Sequence, residues 1–172
     1  MISIIKMSQL FDKEEEKLYQ KFADLGIGHK TLRHEVITTM AQGAEIMKKL
    51  EGTVCMNLLL VDKDDHYYLV VKNVNSGRLD TNKLGKKLGI QKLTLAKADM
   101  LDKLLKVPKG SATIFAVSNV VNVIGTSILI DSSIPKDQSV NFHPMRNDAT
   151  TTISYDDMIK YVNHYGCTVL YF

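Results

Sequence analysis

A chain of 172 residues, 45% hydrophobic and 24% charged, fits one domain and is long enough to bury a core without staples. Its two cysteines, Cys55 and Cys167, stand 112 positions apart, which is neither a metal-type spacing nor a disulfide framework, so a reduced, cytoplasmic setting is expected. The net charge is +3, but nine basic residues and only three acids lie between Arg78 and Lys109, leaving that stretch at +6 and the rest at −3. Charge of one sign gathered in one segment is either the footprint of an anionic partner such as nucleic acid or a set of solvated helix faces. The longest apolar runs, 57–61 and 67–71, are strand-sized and far short of a membrane span. The opening MISIIKM is too short for a signal peptide.

In chain order, Leu18, Phe22 and Leu25 recur at helical spacing and predict an amphipathic helix over Phe11–Leu25, with Gly26 at its C-cap. Thr38–Leu50 is a second expected helix, followed by Gly52. Cys55–Val61 and His66–Lys72, joined by the Lys63-Asp64-Asp65 turn, read as a β-hairpin. Asp80–Leu88 is a helix with Asp80 as N-cap and Gly89 closing it. Lys92–Ala96 is a short strand, and Ala98–Leu105 a helix ended before Pro108. Gly110-Ser111 opens a loop, Ala112–Val117 is expected to return to strand, and Val121–Ile130 is strand-rich with a bend at Gly125. Val140–Phe142 and Thr150–Ile153 are short strands. Ser154 caps a helix to Tyr165 whose first turn holds Asp156 and Asp157, where the dipole favours anions. Cys167–Phe172 is the last strand. Hairpins mixed with helices predict an α/β (α+β type) fold, a mixed sheet wrapped by helices, with an N-terminal helix over 1–24 and a core over 25–172.

Walker, HExxH, GxSxG and Rossmann motifs are all absent from the sequence, and no cofactor or metal is expected. Four weaker features stand out. Gly110, Ser111 and Ala112 let backbone amides approach a carbonyl or a developing oxyanion, or make a plain turn. His143, held extended before Pro144, is a donor, a general base or a structural corner; Asn147 and the Thr150–Thr152 run follow it. Asn57, at the start of an apolar strand, either clamps a backbone or binds substrate. His34, after Arg33 at the end of an expected strand, belongs to a surface or a pocket rim.

The order of these landmarks resembles the YbaK/prolyl-tRNA-synthetase-associated domain family, and within it the freestanding alanyl-tRNA(Pro) deacylases of the ProX/PrdX kind. Leu25-Gly26-Ile27 with His34 resembles the family's entry strand. Asn57-Leu58-Leu59-Leu60 with Asp62-Lys63 is similar to its Lys-Asn-Leu-Phe-Leu strand. Leu88-Gly89, Leu95-Ala96 and Pro108-Lys109-Gly110-Ser111 resemble its glycine loop, and Asn141-Phe142-His143-Pro144 with Asn147 and 149–154 its His-Pro segment. Met56 stands where the family carries lysine, and Ile114 where the loop usually ends in proline.

The resemblance implies a small pocket that hydrolyses the ester of a mischarged tRNA, Ala-tRNA(Pro) above all. Gly110, Ser111, Ala112 and His143 would act on the ester. His34, Met56, Asn57, Ile114 and Asn147 would bind substrate, and Lys83, Lys86, Lys87 and Lys109 the tRNA. Expected partners are the acceptor end of the proline tRNA and a prolyl-tRNA synthetase, fused or in trans. The chemical need is that alanine is smaller than proline, and a binding pocket separates ligands differing by a methylene by only about 1–3 kcal/mol. A catalytically weak tRNA-binding domain appended to a prolyl-tRNA synthetase is the competing reading, and an unrelated small-molecule-binding domain is the third.

Overall fold

The structure, a computed structural model, describes residues 4–108, 110–120 and 127–172. Among them the chain forms α1 (Ile4–Leu25), β1 (Lys30–Arg33), α2 (Met40–Met47), β2 (Thr53–Val61), β3 (Tyr67–Asn73), α3 (Thr81–Leu88), β4 (Thr94–Leu95) and α4 (Ala98–Leu105). A 3₁₀ turn (Ile114–Ala116) then leads through α5 (Val117–Val120), β5 (Ser127–Ile130), β6 (Ser139–Phe142), β7 (Ala149–Ser154) and α6 (Tyr155–His164) to β8 (Thr168–Tyr171). One mixed sheet runs β1-β7-β6-β2-β3-β5-β8, with β4 on β2. The β2/β3 hairpin is antiparallel, while β2/β6, β3/β5 and β5/β8 are parallel.

The period-two pattern of the central strands divides the apolar residues between two faces. Leu59, Leu69, Val71, Ile128 and Ile130 enter the larger core with Phe22 of α1, Leu105 of α4 and Tyr161 of α6. Their neighbours Leu60, Val70 and Leu129 point the other way, onto Leu84 of α3 and Leu93. In the larger core Phe115 meets Phe22, Phe142 and Tyr161 edge-on, with ring centroids 5.2–5.6 Å apart. The Tyr161 hydroxyl donates to the Phe115 carbonyl at 2.9 Å, so this ring's polar tip is satisfied inside the core.

Helix ends follow their residues. Asp80 accepts the Lys83 amide at the start of α3 and Gly89 closes it in the left-handed region. Ser154 accepts the Asp157 amide at the start of α6. Thr39 and Gln42 form a reciprocal capping box that starts α2 later than Thr38. Helix α1 begins at Ile4, seven residues before Phe11, because no glycine or proline interrupts that stretch. The strand expected over Lys92–Ala96 shrinks to Thr94–Leu95.

Ala112–Val117 is not a strand. Thr113 accepts the Phe115 amide with its side chain and starts the 3₁₀ turn; a short buried apolar run reads alike in both states, and the cap decides. Of the strand expected over 121–130, Ser127–Ile130 is present; residues 121–126, with the bend at Gly125, lie outside the described residues.

Helix α1 is tied to the β1/β7 edge by a polar cluster. Glu15, 4% exposed, receives Arg146 at 3.1 Å and Arg33 at 2.8 Å. The Tyr19 hydroxyl lies 2.9 Å from Glu15, 2.6 Å from Thr31 and 2.8 Å from Thr151. At the other end of the hairpin, Gly52 passes so close to β6 that a Cβ would stand 2.1 Å from the Ser139 carbonyl oxygen, and its φ is +77°.

Two outcomes test these constraints. Glu15→Ala removes the shared acceptor of Tyr19, Arg33 and Arg146 but leaves Arg146 paired with Asp148 and Asp12, and should cost about 1.5–3 kcal/mol, the scale of hydrogen bonds to a charged group. Gly52→Ala should cost about 1–3 kcal/mol, from overpacking and a disfavoured φ. Urea denaturation of both variants measures these losses, and a variant within 0.5 kcal/mol of the parent (roughly the scatter of neutral surface changes) contradicts the corresponding contact.

Candidate active site

Strand β2 changes neighbours along one edge. Its first residues pair with β6 (Thr53↔Val140, Val54↔Asn141) and its last with β4 (Leu60↔Leu95, Val61↔Thr94). Between them, among the described residues, that edge has no strand beside it. The Val54 carbonyl turns toward β3, accepting Val74 N–H, whereas the Leu59 carbonyl turns toward β4, accepting Ala96 N–H. By alternation the main-chain N–H and C=O of Asn57 face the gap. A cavity of about 600 Å³ fills it. Its described walls include β2 from Val54 to Leu59, residues of α2, Leu95-Ala96, then Val107, Pro108, Gly110 and Ala112, and His143 and Thr150.

Asn57 positions the loop. Its side chain is buried, donates to the Val70 carbonyl at 3.0 Å and accepts the Ile114 amide at 3.0 Å. One amide thus ties β2, β3 and the 3₁₀ turn together, and the loop ahead of that turn is held against the cavity. Within the loop the Ser111 amide donates to the Pro108 carbonyl at 2.9 Å. Gly110 has φ +83°, with no heavy atom within 4 Å of where a Cβ would be. Among the described residues the Gly110 and Ala112 amides have no hydrogen-bond partner, and both residues line the cavity.

His143 follows β6 and donates Nδ1–H to the Ala149 carbonyl at 2.9 Å, which leaves Nε2 as the acceptor of the neutral ring. Burial holds its pKa below the ordinary 6.5, with the Ala149 hydrogen bond opposing and the neighbouring His34 adding to the depression. His34 lies behind it, ring centroids 6.4 Å apart. Its Nδ1 donates to the Glu35 carbonyl at 2.8 Å and its Nε2 meets Thr150 Oγ1 at 2.9 Å. In the neutral ring the Thr150 hydroxyl is the donor, so its oxygen keeps acceptor capacity beside the cavity. Cys55 also lines the wall, but burial pushes its thiol up to about 12, which rules out a thiolate nucleophile at neutral pH. No Asp, Glu, Lys or Arg is among the described lining residues.

The structure brings Met56, Asn57, Gly110, Ala112 and His143 to one cavity. Met56 is 45% exposed and Leu95 60% exposed, giving the mouth an apolar rim. The remaining residues singled out in the sequence stand elsewhere. Ser111 and Ile114 are fully buried and outside the lining. The Ser111 hydroxyl has no hydrogen-bond partner among the described residues, and each residue's amide is already bonded. Asn147 is half-buried and outside the lining. Lys83, Lys86 and Lys87 are exposed on α3, which packs on the opposite face of the sheet from α1 and α6. Lys109 lies outside the described residues. The sequence places a helix over Thr38–Leu50 but not the face it turns to the cavity, and Ile46 and Met47 of α2 line that cavity. Asp62, Asp64 and His66 form the one group among the described residues able to hold a metal, and it belongs to the hairpin turn rather than to the cavity.

Comparison with known proteins gives the family and the fold. The family model described as the aminoacyl-tRNA editing domain matches residues 34–161. The prolyl-tRNA editing protein ProX of Acetoanaerobium sticklandii is 30% identical over 155 residues, covering 90% of this chain and 93% of that protein. Prolyl-tRNA synthetase associated domain-containing protein 1 of Bos taurus is 32% identical over 155 residues, covering 87% and 88%. A crystal structure of a candidate trans-editing enzyme for prolyl tRNA synthetase has the same fold, with a TM-score of 0.68 at 16% identity over 91% of this chain and 94% of that one. With a family model matched over residues 34–161 and a relative 30% identical across 90% of its length, this chain belongs to the aminoacyl-tRNA editing domain family.

Proposed function

We propose that this chain hydrolyses the ester joining a wrongly attached amino acid to tRNA, with alanine on the proline tRNA as the substrate. The observation that carries the reading is a cavity whose described lining offers main-chain donors and one neutral imidazole but no charged side chain. Such a site suits an ester that is already reactive and needs orientation and oxyanion stabilisation more than a strong acid or base.

In this mechanism the Gly110 and Ala112 amides receive the carbonyl oxygen as it becomes an oxyanion. His143 Nε2 accepts a proton from the attacking water. The new carbon–oxygen bond forms from that water, the bond to the ribose oxygen breaks, and the proton passes to the ribose oxygen, releasing free amino acid and tRNA. The Asn57 main chain, facing the gap, offers a donor and an acceptor to the amino acid or the terminal adenosine. About 600 Å³ exceeds what an alanyl group fills, so the apolar wall of α2, Met56 and Leu95 has room for the adenine ring as well. Of the expected tRNA-binding lysines, Lys83, Lys87 and Lys109 would meet the tRNA backbone, while Lys86 stands off the cavity that Lys83 and Lys87 line, and a prolyl-tRNA synthetase would supply the substrate, in trans or as a fused partner.

Met56 favours a second reading, a catalytically weak tRNA-binding domain, because a thioether at the rim cannot anchor a phosphate. Met56→Lys separates the two. The added cation should raise kcat/KM on alanyl-tRNA(Pro) by roughly a hundredfold, the scale of one well-placed electrostatic contact, with the prolyl ester spared. A deacylation time course on both esters measures this. Cleavage by neither protein sinks the editing reading, and efficient cleavage by the parent shows that no cation is needed at position 56.

The pH profile tests His143. Its folded pKa lies below 6.5, so the neutral, proton-accepting ring persists through neutrality and is lost only as pH falls further. Single-turnover rates should hold from pH 8 to 6.5 and decline on an acid limb whose midpoint is below about 6.5, the unperturbed histidine value. His143→Gln should remove that limb; a limb unchanged in the variant excludes His143 as the acceptor.

A further inference from the structure

On the α3 side of the sheet a second cavity of about 330 Å³ is lined by Lys72, Arg78, Lys83 and Lys87, with Asp80 and Asp131. Lys72 comes from β3 and is only 4% exposed. Its ammonium donates to the Asn73 carbonyl at 2.9 Å and to Ser76 Oγ at 2.8 Å, which uses two of its three protons. None of the ion pairs between described residues involves Lys72, Arg78, Lys83 or Lys87. Both acids are already engaged. Asp80 accepts the Lys83 amide as the α3 cap. Asp131 accepts Ser76 Oγ, the Asn73 amide and the Ser133 amide; burial would raise its carboxyl, but these hydrogen bonds outweigh it and hold the pKa below the usual range. Four cationic side chains against two anionic ones leave the walls at +2, with a buried ammonium proton unspent. The one acid near the buried Lys72 ammonium, Asp131, is reached only through Ser76 Oγ, so a second anion in direct contact would be favourable, and the cavity is where one fits.

We propose that this cavity binds a phosphate group, held by Lys72, Arg78, Lys83 and Lys87, and that the phosphate is a backbone phosphodiester of the RNA whose acylated end enters the first cavity. The RNA assignment rests on the editing reading given above; the phosphate site itself does not. The two cavities share a wall. Met56 of the first is the direct cross-strand neighbour of Lys72 of the second, about 5 Å away on the same face of the sheet. Position also sorts the basic residues of this segment. Lys83 and Lys87 lie one helical turn apart and face the second cavity, whereas Lys86 of the same helix does not line it.

The test uses the full chain with two probes: inorganic phosphate followed by amide chemical shifts, and an unacylated RNA minihelix ending in CCA followed by fluorescence anisotropy. Phosphate should shift the amides of residues 73–76 and 78–87, and Lys72→Met should abolish the shift. Should Lys72→Met fail to fold, the surface double variant Arg78→Ala/Lys87→Ala carries the test. That double variant should weaken minihelix binding about tenfold and lower the salt slope by about 2, as expected for two lost phosphate contacts, while Lys86→Ala changes affinity less than twofold. No phosphate shift at these amides overturns the site. Equal losses in the double variant and Lys86→Ala reduce it to a diffuse positive face and overturn it too. Phosphate shifts with unchanged minihelix affinity overturn the RNA source and leave free phosphate as the ligand. Minihelix binding that behaves as expected in a protein that cleaves no aminoacyl ester sinks the editing reading and leaves this site standing.

Discussion

A single buried amide holds the candidate site together. Asn57 cannot be left unpaired in the wall between two strands, because a buried amide without partners costs about 1–3 kcal/mol. It finds the Val70 carbonyl on β3 and the Ile114 amide at the start of the 3₁₀ turn. The second bond sets where the 3₁₀ turn begins and so where the Gly110 and Ala112 amides ahead of it lie. Asn141 does similar work at the other end of β2, donating to the Glu51 and Thr53 carbonyls at 2.7 and 3.2 Å, just where Gly52 passes β6. Between these two clamps β2 is held while one edge of it stays open, and the cavity occupies that opening.

The open edge explains the chemistry available there. A strand edge normally presents main-chain donors and acceptors that invite another strand. Here α2 and the loop cover it, so the edge faces a cavity instead. The only titratable side chains among the described lining residues are a histidine kept neutral by burial and a thiol pushed out of reach of ionisation. What the described lining offers beside the neutral imidazole is therefore fixed main-chain dipoles, which need no protonation change to act and are strongest where water is thin. Charge is gathered instead in a separate cavity beyond the β2/β3 pair, where Lys72 and the α3 cations line the walls. The two faces differ because alternate residues of β2, β3 and β5 serve different cores, so adjacent positions such as Met56 and Asn57 have separate tasks.

The amino-acid sequence by itself determined most local structure: the β2/β3 hairpin and its turn, α3 between Asp80 and Gly89, α6 behind Ser154, and the order of Asn57, the glycine loop and His143. These follow from period, caps and turn residues, which act over a few positions. It also pointed to the family, through landmarks whose spacing survives in one dimension. Tertiary structure alone decided the rest. Ala112–Val117 became a 3₁₀ turn and helix because Thr113 caps it and Asn57 reaches its first amide from 57 positions away. Ser111 and Ile114 left the candidate site because their neighbours bury them and their amides are already bonded. Ile46 and Met47 joined the wall because α2 packs over an edge that no local pattern reveals. Lys83 and Lys87 separated from Lys86 because Lys72 of β3 and Asp131 after β5 come to one side of α3. Long-range pairing sets which edge stays open and which side chains meet across it, and short-range propensity carries no information about either.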